Sequence, residues 1–278
     1  MKKRALVIGS GTLRGAYDAG AAVELCRDLG PTYFDAFYGC SGGSYAATFF
    51  ATNQPDVIEN VWRNHIHGNQ FVNFLNPLRG RHVLDLEYLA HLFQHGETLL
   101  HVEKIDQSSA SLVYVLTDRD TGNPVYVHST QERVFDLLKA SASMPILHPP
   151  QLINGVVYID GCLSDPLPFL RAFEDGYEEV VVVYNKPKGF LVGGRYDAFV
   201  DFIGSCVASK TTARLIKTFK LKFQKIEQQI EQLKNVKVIR PKIQLPLRSI
   251  LDTNKARPNA CVDMGIADAK EFLKTYHE

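Results

Sequence analysis

The chain has few cysteines, little net charge and no long hydrophobic run, and each scarcity argues against a class of protein. Its five cysteines, at positions 26, 40, 162, 206 and 261, include no Cys-x-x-Cys pair. That spacing argues against a structural zinc site, and the odd, scattered set argues against a disulfide scaffold. A formal net charge of +1 offers no general attraction for nucleic acid. We therefore expect no nucleic-acid partner.

Hydrophobic runs are short throughout the chain. None approaches the ~18 consecutive apolar residues of a membrane span. The basic start at residues 1–4 resembles the beginning of a signal peptide, but only the apolar residues 5–8 follow it. A cleaved signal needs about seven or more apolar residues at that point. We expect a cytoplasmic protein, at most peripheral to a membrane, with export without a cleaved signal as the alternative.

The most informative feature that is present surrounds Ser41. Residues 39–43 have the sequence Gly-Cys-Ser-Gly-Gly, between a strand-like aromatic run at 33–38 and a helix-like run of small apolar residues at 44–51. The Gly-x-Ser-x-Gly pattern is typical of the sharp turn that presents a serine nucleophile. Small residues such as Gly39 and Gly43 are needed because the chain reverses closely there and strains the serine backbone.

Histidine is scarce where a classical triad would need it. Only His277 lies beyond residue 160, and it is one residue from the end of the sequence. An order of Ser, acid, His remains open through His128 or His148, preceded by Asp106, Asp118 or Asp120. No motif favours those pairs, and only forty residues precede Ser41, whereas α/β-hydrolases place this turn after several strands.

Two further segments carry chemistry. Apolar residues 5–8 are followed by a glycine-rich turn and a helix-like segment that extends to about residue 28. Such a turn exposes backbone N–H groups at a helix N-terminus, where an oxyanion is stabilised. Far downstream, a strand-like run at 156–159 ends at Asp160-Gly161. The residues of the first turn that we single out are Gly9, Gly11, Thr12, Arg14 and Gly15.

Together these three segments resemble the patatin-like phospholipase family, and most closely its small bacterial members. The resemblance covers roughly residues 4–185 and implies Ser41 as nucleophile, Asp160 as its base and Arg14 as the basic loop residue. It implies an oxyanion hole formed by the N–H groups of Gly11 and Thr12, with lipid ester as substrate and no metal or cofactor. It also implies a three-layer α/β/α fold with a mostly parallel sheet.

The chain departs from the family pattern at three positions. Ser10 and Thr12 stand where the family loop has glycine, and Cys162 replaces the small residue after Asp-Gly. Backbone donors need no particular side chain, but a β-branched threonine tolerates positive φ poorly. We expect an intact site, with distortion of the loop as the alternative.

Strand-like and helix-like segments alternate along the chain, which is typical of an α/β fold. We expect strands at 5–8, 33–38, 111–116, 125–128, 156–159, 179–184 and 236–239. We expect helices at 15–28, 43–52, 55–65, 85–95, 130–140, 167–175, 212–234 and 262–275. We divide the chain into a catalytic core, residues 1–190, and a helical C-terminal appendage packed on the same domain, residues 191–278.

The appendage contains a basic amphipathic helix. Its apolar stripe comprises Ile216, Phe219, Phe223, Ile226, Ile230 and Leu233 at 3-4 spacing. Two interpretations follow: a helix packed on the domain with its lysines in water, or a helix on an anionic membrane. Membrane contact would use Lys217, Lys220, Lys222 and Lys225.

Histidines are concentrated between Trp62 and His101. His91 and His95 have helical i,i+4 spacing, but without the H-E-x-x-H pattern we expect no zinc site. This segment is instead predicted to line the acyl pocket or cover it.

Three classes of function follow from the sequence. The first is a serine acyl hydrolase of lipid esters, and the second is a catalytically inactive patatin-like scaffold that binds lipid or a partner. The third is a Rossmann-like nucleotide-binding protein that uses Gly9, Gly11 and Gly15, with Asp28 or Asp35 on the ribose.

Overall fold

The structure is a computed structural model that describes residues 2–190 and 209–276. In this part of the chain eight strands form one mixed sheet, in the order β5-β6-β3-β2-β1-β7-β8, with β4 also paired to β3. The strands are β1 (Arg4–Ile8), β2 (Ala36–Cys40), β3 (Ser111–Asp118), β4 (Pro124–His128), β5 (Gln151–Ile153), β6 (Val156–Asp160), β7 (Glu179–Val183) and β8 (Val236–Ile239). The pairs β3-β2, β2-β1, β1-β7 and β7-β8 are parallel, and β4, β5 and β6 make the antiparallel pairs.

Helices cover both faces of this sheet. They are α1 (Gly15–Leu29), α2 (Gly42–Ala51), α3 (Pro55–Asn64), α4 (Leu86–Gln94), α5 (Glu103–Gln107), α6 (Val134–Ser141), α7 (Phe169–Glu174), α8 (Lys210–Gln232) and α9 (Ala256–Tyr276). Short 3₁₀ turns span residues 12–14, 76–79, 96–98 and 161–163.

The alternation of side chains along the strands produces two cores. In β1, Leu6 and Ile8 face a core that includes α1, α2 and α9, whereas Ala5 and Val7 face a core that includes α7 and α8. This period of two is the geometry of a strand buried on both faces. The chain therefore has the three-layer α/β/α fold expected from the sequence.

Most elements lie where the sequence predicts them. The strand predicted at 33–38 begins later, at Ala36, and the last helix begins earlier, at Ala256. The short elements β5 and α5 were not predicted, because three to five residues are too few for a periodic pattern. The run at 179–184 is a central parallel strand, as expected, since β7 pairs with β1 and β8.

The apolar stripe of α8 packs on the sheet. Ile216, Phe219, Phe223 and Ile226 are buried in the core that also holds β7, so the stripe does not face a lipid surface. Lys222 is half-buried and its Nζ donates to the carbonyl of Ser164 at 2.7 Å. Of the two interpretations, burial of this stripe favours the helix packed on the domain.

Residues after 209 are integrated with the rest of the fold. β8 extends the sheet beside β7, and α9 packs directly on α1. The two helices approach so closely that a methyl group at Gly265 would lie 2.1 Å from the Tyr17 carbonyl oxygen. The division of the chain at residue 190 stays a prediction. The first part of the C-terminal appendage, residues 191–208, lies outside the described residues.

The described residues contain neither a membrane-spanning helix nor a cluster of metal ligands. Within residues 2–190 and 209–276, no helix combines the length and hydrophobicity needed to cross a bilayer. In the same ranges, no three His, Cys, Asp or Glu side chains are grouped as a metal site. The His91 and His95 rings stack on each other with centroids 4.4 Å apart.

Candidate active site

Two strands bring the predicted nucleophile and base together. β2 runs parallel to β3 and ends with Cys40 opposite Val115. β6 runs antiparallel to β3 and ends with Asp160 opposite Leu116. The carboxyl ends of β2 and β6 therefore converge at neighbouring positions of β3, although Ser41 and Asp160 are 119 residues apart in sequence.

The turn at Ser41 has the strained geometry that its sequence predicts. Ser41 has φ 55° and ψ −126°, a conformation that few non-glycine residues adopt. A methyl group at Gly39 would lie 2.4 Å from Cα of Ser44, and one at Gly43 would lie 2.4 Å from the Ile8 carbonyl oxygen. Only glycine fits at these two positions, so the turn holds the hydroxyl of Ser41 at the start of α2.

Ser41 and Asp160 are directly hydrogen-bonded. The hydroxyl of Ser41 donates to Oδ2 of Asp160 at 2.9 Å, and the Cys162 N–H donates to Oδ1 at 2.9 Å. Complete burial raises the pKa of Asp160 to about 6, and these two hydrogen bonds to the carboxylate oppose the shift. The raised pKa makes Asp160 a better proton acceptor than an exposed aspartate.

Ser141 was not predicted to take part, yet it supports the turn. Its hydroxyl accepts a hydrogen bond from the Ser41 N–H at 2.9 Å and donates to the Val115 carbonyl at 2.8 Å. It also lies 2.9 Å from the hydroxyl of Ser44. The one available signal was the Ala-Ser-Ala-Ser-Met-Pro segment at 140–145, which resembles a family stretch without indicating this contact.

The glycine-rich loop lies beside Ser41. Thr12 has φ 45°, so it adopts the conformation that a β-branched residue tolerates poorly. Neither the Gly11 N–H nor the Thr12 N–H donates to another residue in the described part of the chain. The backbone of Thr12 also approaches Gly42, the first residue of α2. Both N–H groups are therefore without a backbone partner among the described residues, and both belong to residues that line a cavity with Ser41.

The other predicted loop and turn residues have structural positions. The Gly9 N–H donates to the Val183 carbonyl at 3.2 Å, at the end of β7. Gly15 begins α1, and Arg14 stacks on the Phe190 ring at 4.7 Å. A methyl group at Gly161 would lie 2.1 Å from the Val115 carbonyl oxygen, so the turn after Asp160 packs directly on β3.

A buried polar group behind the loop was missed by the sequence analysis. Nδ2 of Asn185 donates to the Ser10 carbonyl at 2.9 Å and also to Oδ2 of Asp18. Lys186 Nζ donates to Oδ1 of Asn185 at 3.2 Å. Burial raises the pKa of Asp18, whereas burial and the nearby Arg14 lower that of Lys186. Asn185 thereby holds the loop through the carbonyl of Ser10.

An apolar cavity of about 530 Å³ opens at Ser41. It has Thr12, Ser41 and Asp160 at its polar end, and the rest of its wall is almost entirely hydrophobic. Much of that wall comes from the histidine-rich segment, through its apolar residues and not its histidines. They are Trp62, Ile66, Phe71, Leu84, Leu86, Leu89 and Phe93.

A second cavity of about 460 Å³ shares Thr12 and Ser41 with the first. Its lining includes Arg14 and Lys186, so it is the more cationic of the two. The remaining wall includes Phe219 and Phe223 of α8. Ser41 thus lies between an apolar cavity and a basic one.

Among the described residues, no histidine is hydrogen-bonded to Ser41. His148 is buried and bonds Ser143 Oγ at 3.1 Å and Glu87 Oε2 at 3.4 Å. His128 lies on β4 opposite Val113. The alternative acid Asp118 accepts hydrogen bonds from the backbone of its own turn. His277 lies outside the described residues.

Comparison with known proteins shows the family to which the chain belongs. Uncharacterized protein YjjU of Escherichia coli (strain K12) is 28% identical over 187 residues, which cover 66% of this chain and 52% of that protein. The chain thus matches about half the length of this relative. The crystal structure of VipD from Legionella pneumophila aligns with a TM-score of 0.49 at 11% identity, covering 98% of this chain and 67% of that one. The model of the patatin-like phospholipase family matches residues 6–173, more than half of the chain, and the chain therefore belongs to that family.

Proposed function

We propose that the chain is a serine acyl hydrolase of lipid esters, of the phospholipase A or lysophospholipase type. The hydroxyl of Ser41 attacks the ester carbonyl while Asp160 accepts its proton, and the N–H groups of Gly11 and Thr12 stabilise the oxyanion. The alkoxide leaves with the proton from Asp160. Asp160 then takes a proton from the water that attacks the acyl-enzyme, and it returns that proton to Ser41 Oγ as the bond to the acyl group breaks and the fatty acid leaves.

The observation that carries this proposal is the 2.9 Å hydrogen bond between Ser41 and Asp160 at the polar end of an apolar cavity. A nucleophile bonded to its base is the signature of covalent catalysis. An acyl chain in that cavity would place its ester group beside Ser41 and the exposed N–H groups of the loop. No protein-bound metal or cofactor is needed for this chemistry.

The second cavity supports a polar substrate group on the other side of the ester. Arg14 and Lys186 line it, and the guanidinium of Arg14 together with the Lys186 nitrogen favours an anionic occupant. A phosphate-bearing head group has that charge, whereas a neutral acylglycerol does not. The proposed substrate is therefore a phospholipid or lysophospholipid.

Two alternatives compete with this proposal. A catalytically inactive scaffold is disfavoured because the hydrogen-bonded pair and the loop donors are both present. A nucleotide-binding site is disfavoured because both candidate ribose acids lie far from the glycine-rich loop. Asp35 accepts a hydrogen bond from the Arg4 N–H, at the opposite end of β1, and Asp28 is in the last turn of α1, the helix that begins at the loop. The ribose would need a carboxylate at the loop end of the sheet.

Peripheral contact with an anionic membrane also belongs to this proposal. Lys217, Lys220 and Lys225 are exposed on α8, and each basic residue near such a surface contributes about 1 kcal/mol of attraction. Because the apolar stripe is packed on the protein, contact through α8 would be electrostatic only.

Labelling with a fluorophosphonate probe tests the nucleophile most directly. We expect the wild-type protein to be labelled and Ser41→Ala not to be. Ser41→Ala and Asp160→Asn should each abolish hydrolysis of a short-chain ester while leaving the fold intact, because each removes one member of a unit. His148→Ala and His128→Ala should keep at least about a tenth of the activity, since general-base removal costs far more. A folded His148→Ala protein as inactive as Ser41→Ala would replace the dyad with a triad.

A further inference from the structure

A short segment between α3 and α4 presents unusually exposed apolar side chains. We define the tip as residues 74–82, the chain reversal that contains the 3₁₀ turn at 76–79. Phe74 is 60% exposed, Leu75 56% and Leu78 85%. Soluble proteins rarely expose contiguous apolar groups of this size unless the surface is covered by a partner.

The tip is held in place by its own hydrogen bonds. The Asn73 N–H donates to the Val83 carbonyl at 2.9 Å, and Asn73 Oδ1 accepts from the Leu75 N–H at 2.9 Å. The buried Asn76 donates through Nδ2 to the His82 carbonyl at 2.9 Å. These hydrogen bonds pair polar groups of the segment with one another, while the apolar side chains of the tip are exposed to solvent.

The base of the tip is part of the acyl cavity wall. Phe71 and Leu84 line that cavity, and the neighbouring Val72 and Leu84 pair across the base of the reversal. The Leu84 N–H also donates to the Leu147 carbonyl at 2.9 Å, next to the exposed Ile146. Apolar surface therefore continues from the outside of the molecule toward the cavity that ends at Ser41.

The charge of the tip is of one sign. Arg79 and Arg81 are both exposed, Arg81 also pairs with Asp85, and the sequence contains no acidic residue between Glu59 and Asp85. Apolar side chains flanked by arginines match the two layers of an anionic lipid surface, with acyl chains beneath phosphate groups.

We infer that the tip is a membrane-docking element that inserts Phe74, Leu75 and Leu78 into an anionic bilayer. Arg79 and Arg81 then lie among the phosphate groups. The occupant is a lipid surface, because the tip joins the wall of the apolar cavity at Ser41 and has a positive charge. This inference rests on the proposed function only for its biological purpose, since docking itself requires no hydrolysis.

Vesicle co-sedimentation tests the inference in the Ser41→Ala background, so that the lipids stay intact. Vesicles contain equal parts of phosphatidylglycerol and phosphatidylcholine. The tip variant combines Phe74→Ser, Leu75→Ser and Leu78→Ser. Its matched control combines Leu99→Ser, Leu152→Ser and Ile243→Ser, three apolar residues that are 40–71% exposed elsewhere and lie outside α8. A third protein replaces Lys217, Lys220, Lys222 and Lys225 by Gln.

We expect the tip variant to lose about tenfold or more in vesicle binding, because binding scales with inserted apolar area. The matched control should bind like the parent protein. In the active background, the tip variant should hydrolyse a soluble short-chain ester at the normal rate. Vesicle binding tests the docking inference, and hydrolysis of the soluble ester tests the proposed function, so the failure of one can be told from the failure of the other.

Several results would overturn the inference. Equal binding by the tip variant and the parent, or no binding by the parent, excludes insertion of the tip. Loss of binding in the four-Gln protein but not in the tip variant moves the contact to α8. A dimer in sedimentation velocity that the tip variant abolishes makes the tip a contact between two copies.

A fluorescence experiment keeps the inference testable should the triple substitution disturb folding. Leu78→Trp and Leu152→Trp each add one tryptophan, and both proteins have the same background fluorescence from Trp62. Only Leu78→Trp should shift its emission to shorter wavelength when vesicles are added. Identical emission changes in both variants contradict docking through the tip.

Discussion

At the level of single residues, the burial of Asp160 determines the pH range in which its carboxylate is ionised and could act as the proposed base. Burial raises the pKa of its carboxyl group to about 6, and only the ionised form can accept the proton of Ser41. The protonated form predominates below that pKa, so activity is lost as the pH falls. The pKa shift is opposite to that of an aspartate beside a cation, whose activity as a base would persist to lower pH.

We therefore predict an acidic limb in the pH profile. With a soluble short-chain ester, kcat/KM should fall about tenfold per pH unit below about pH 6 and level off above it. Circular dichroism at each pH provides the control for unfolding. A profile that is flat between about pH 4 and about pH 8 in a folded protein would contradict the role of Asp160.

Thr12 provides a second test at the residue scale. Its φ of 45° costs a β-branched residue roughly 1–3 kcal/mol, and glycine adopts this conformation without that cost. If only the N–H of Thr12 is used, Thr12→Gly should retain or increase turnover of the short-chain ester. Thr12→Val keeps the branched shape and removes the hydroxyl, so it should retain wild-type turnover. A folded Thr12→Val protein with a tenfold or larger loss would assign the hydroxyl a role.

At the level of elements, the contact between α1 and α9 depends on two glycines. A methyl group at Gly20 would lie 2.2 Å from the Val262 carbonyl oxygen, and one at Gly265 would lie 2.1 Å from the Tyr17 carbonyl oxygen. Both obstacles are backbone atoms, so a side chain forces the helices apart. These glycines permit a close approach that no other residue allows.

Gly265→Ala should therefore destabilise the protein, although helix propensity alone would favour alanine by about 1 kcal/mol. We expect a net loss of about 1–3 kcal/mol in the free energy of unfolding, which is typical of an overpacked core. Urea denaturation gives the measurement. Ala267→Gly, an exposed position on the same helix, reports propensity without packing. A Gly265→Ala protein as stable as wild type would show that the helices separate at no cost.

At the level of the whole molecule, the sheet places Ser41 between two cavities of different character. The apolar cavity is built by the elements that follow β2, and the basic one includes residues that follow β1 and β7. An ester bond that spans the two would have its acyl chain on one side and its polar group on the other. Under the proposed function, the substrate class would therefore depend on the assembled fold and not on any one motif.

Lys186→Met tests this division of the substrate. It should lower kcat/KM for lysophosphatidylglycerol about tenfold more than for a monoacylglycerol with the same acyl chain, because a charge-assisted contact is lost only in the first case. Lys222→Met is the matched control, since that half-buried lysine bonds the Ser164 carbonyl and does not line the basic cavity. An equal decrease for both substrates would show that Lys186 acts only on the structure of the loop.

The sequence by itself determined the local features of this protein. The turn at Ser41, the glycine-rich loop and the turn after Asp160 depend on small residues that allow close backbone approach, and this requirement is visible in the chain. Alternating apolar patterns likewise predicted most strands and helices, because each depends on neighbours within a few residues.

Only the tertiary structure decided which distant residues meet. Ser41 and Asp160 are in contact because β2 and β6 end at adjacent positions of β3, and local periodicity does not encode strand order. The same holds for Ser141 beneath the turn and for Asn185, which reaches the Ser10 carbonyl because β7 lies beside β1. The apolar stripe of α8 fitted both a membrane and a protein core, and the packing of that helix on the sheet decided between them. Such contacts depend on the arrangement of elements far apart in the chain, which no single segment of sequence specifies.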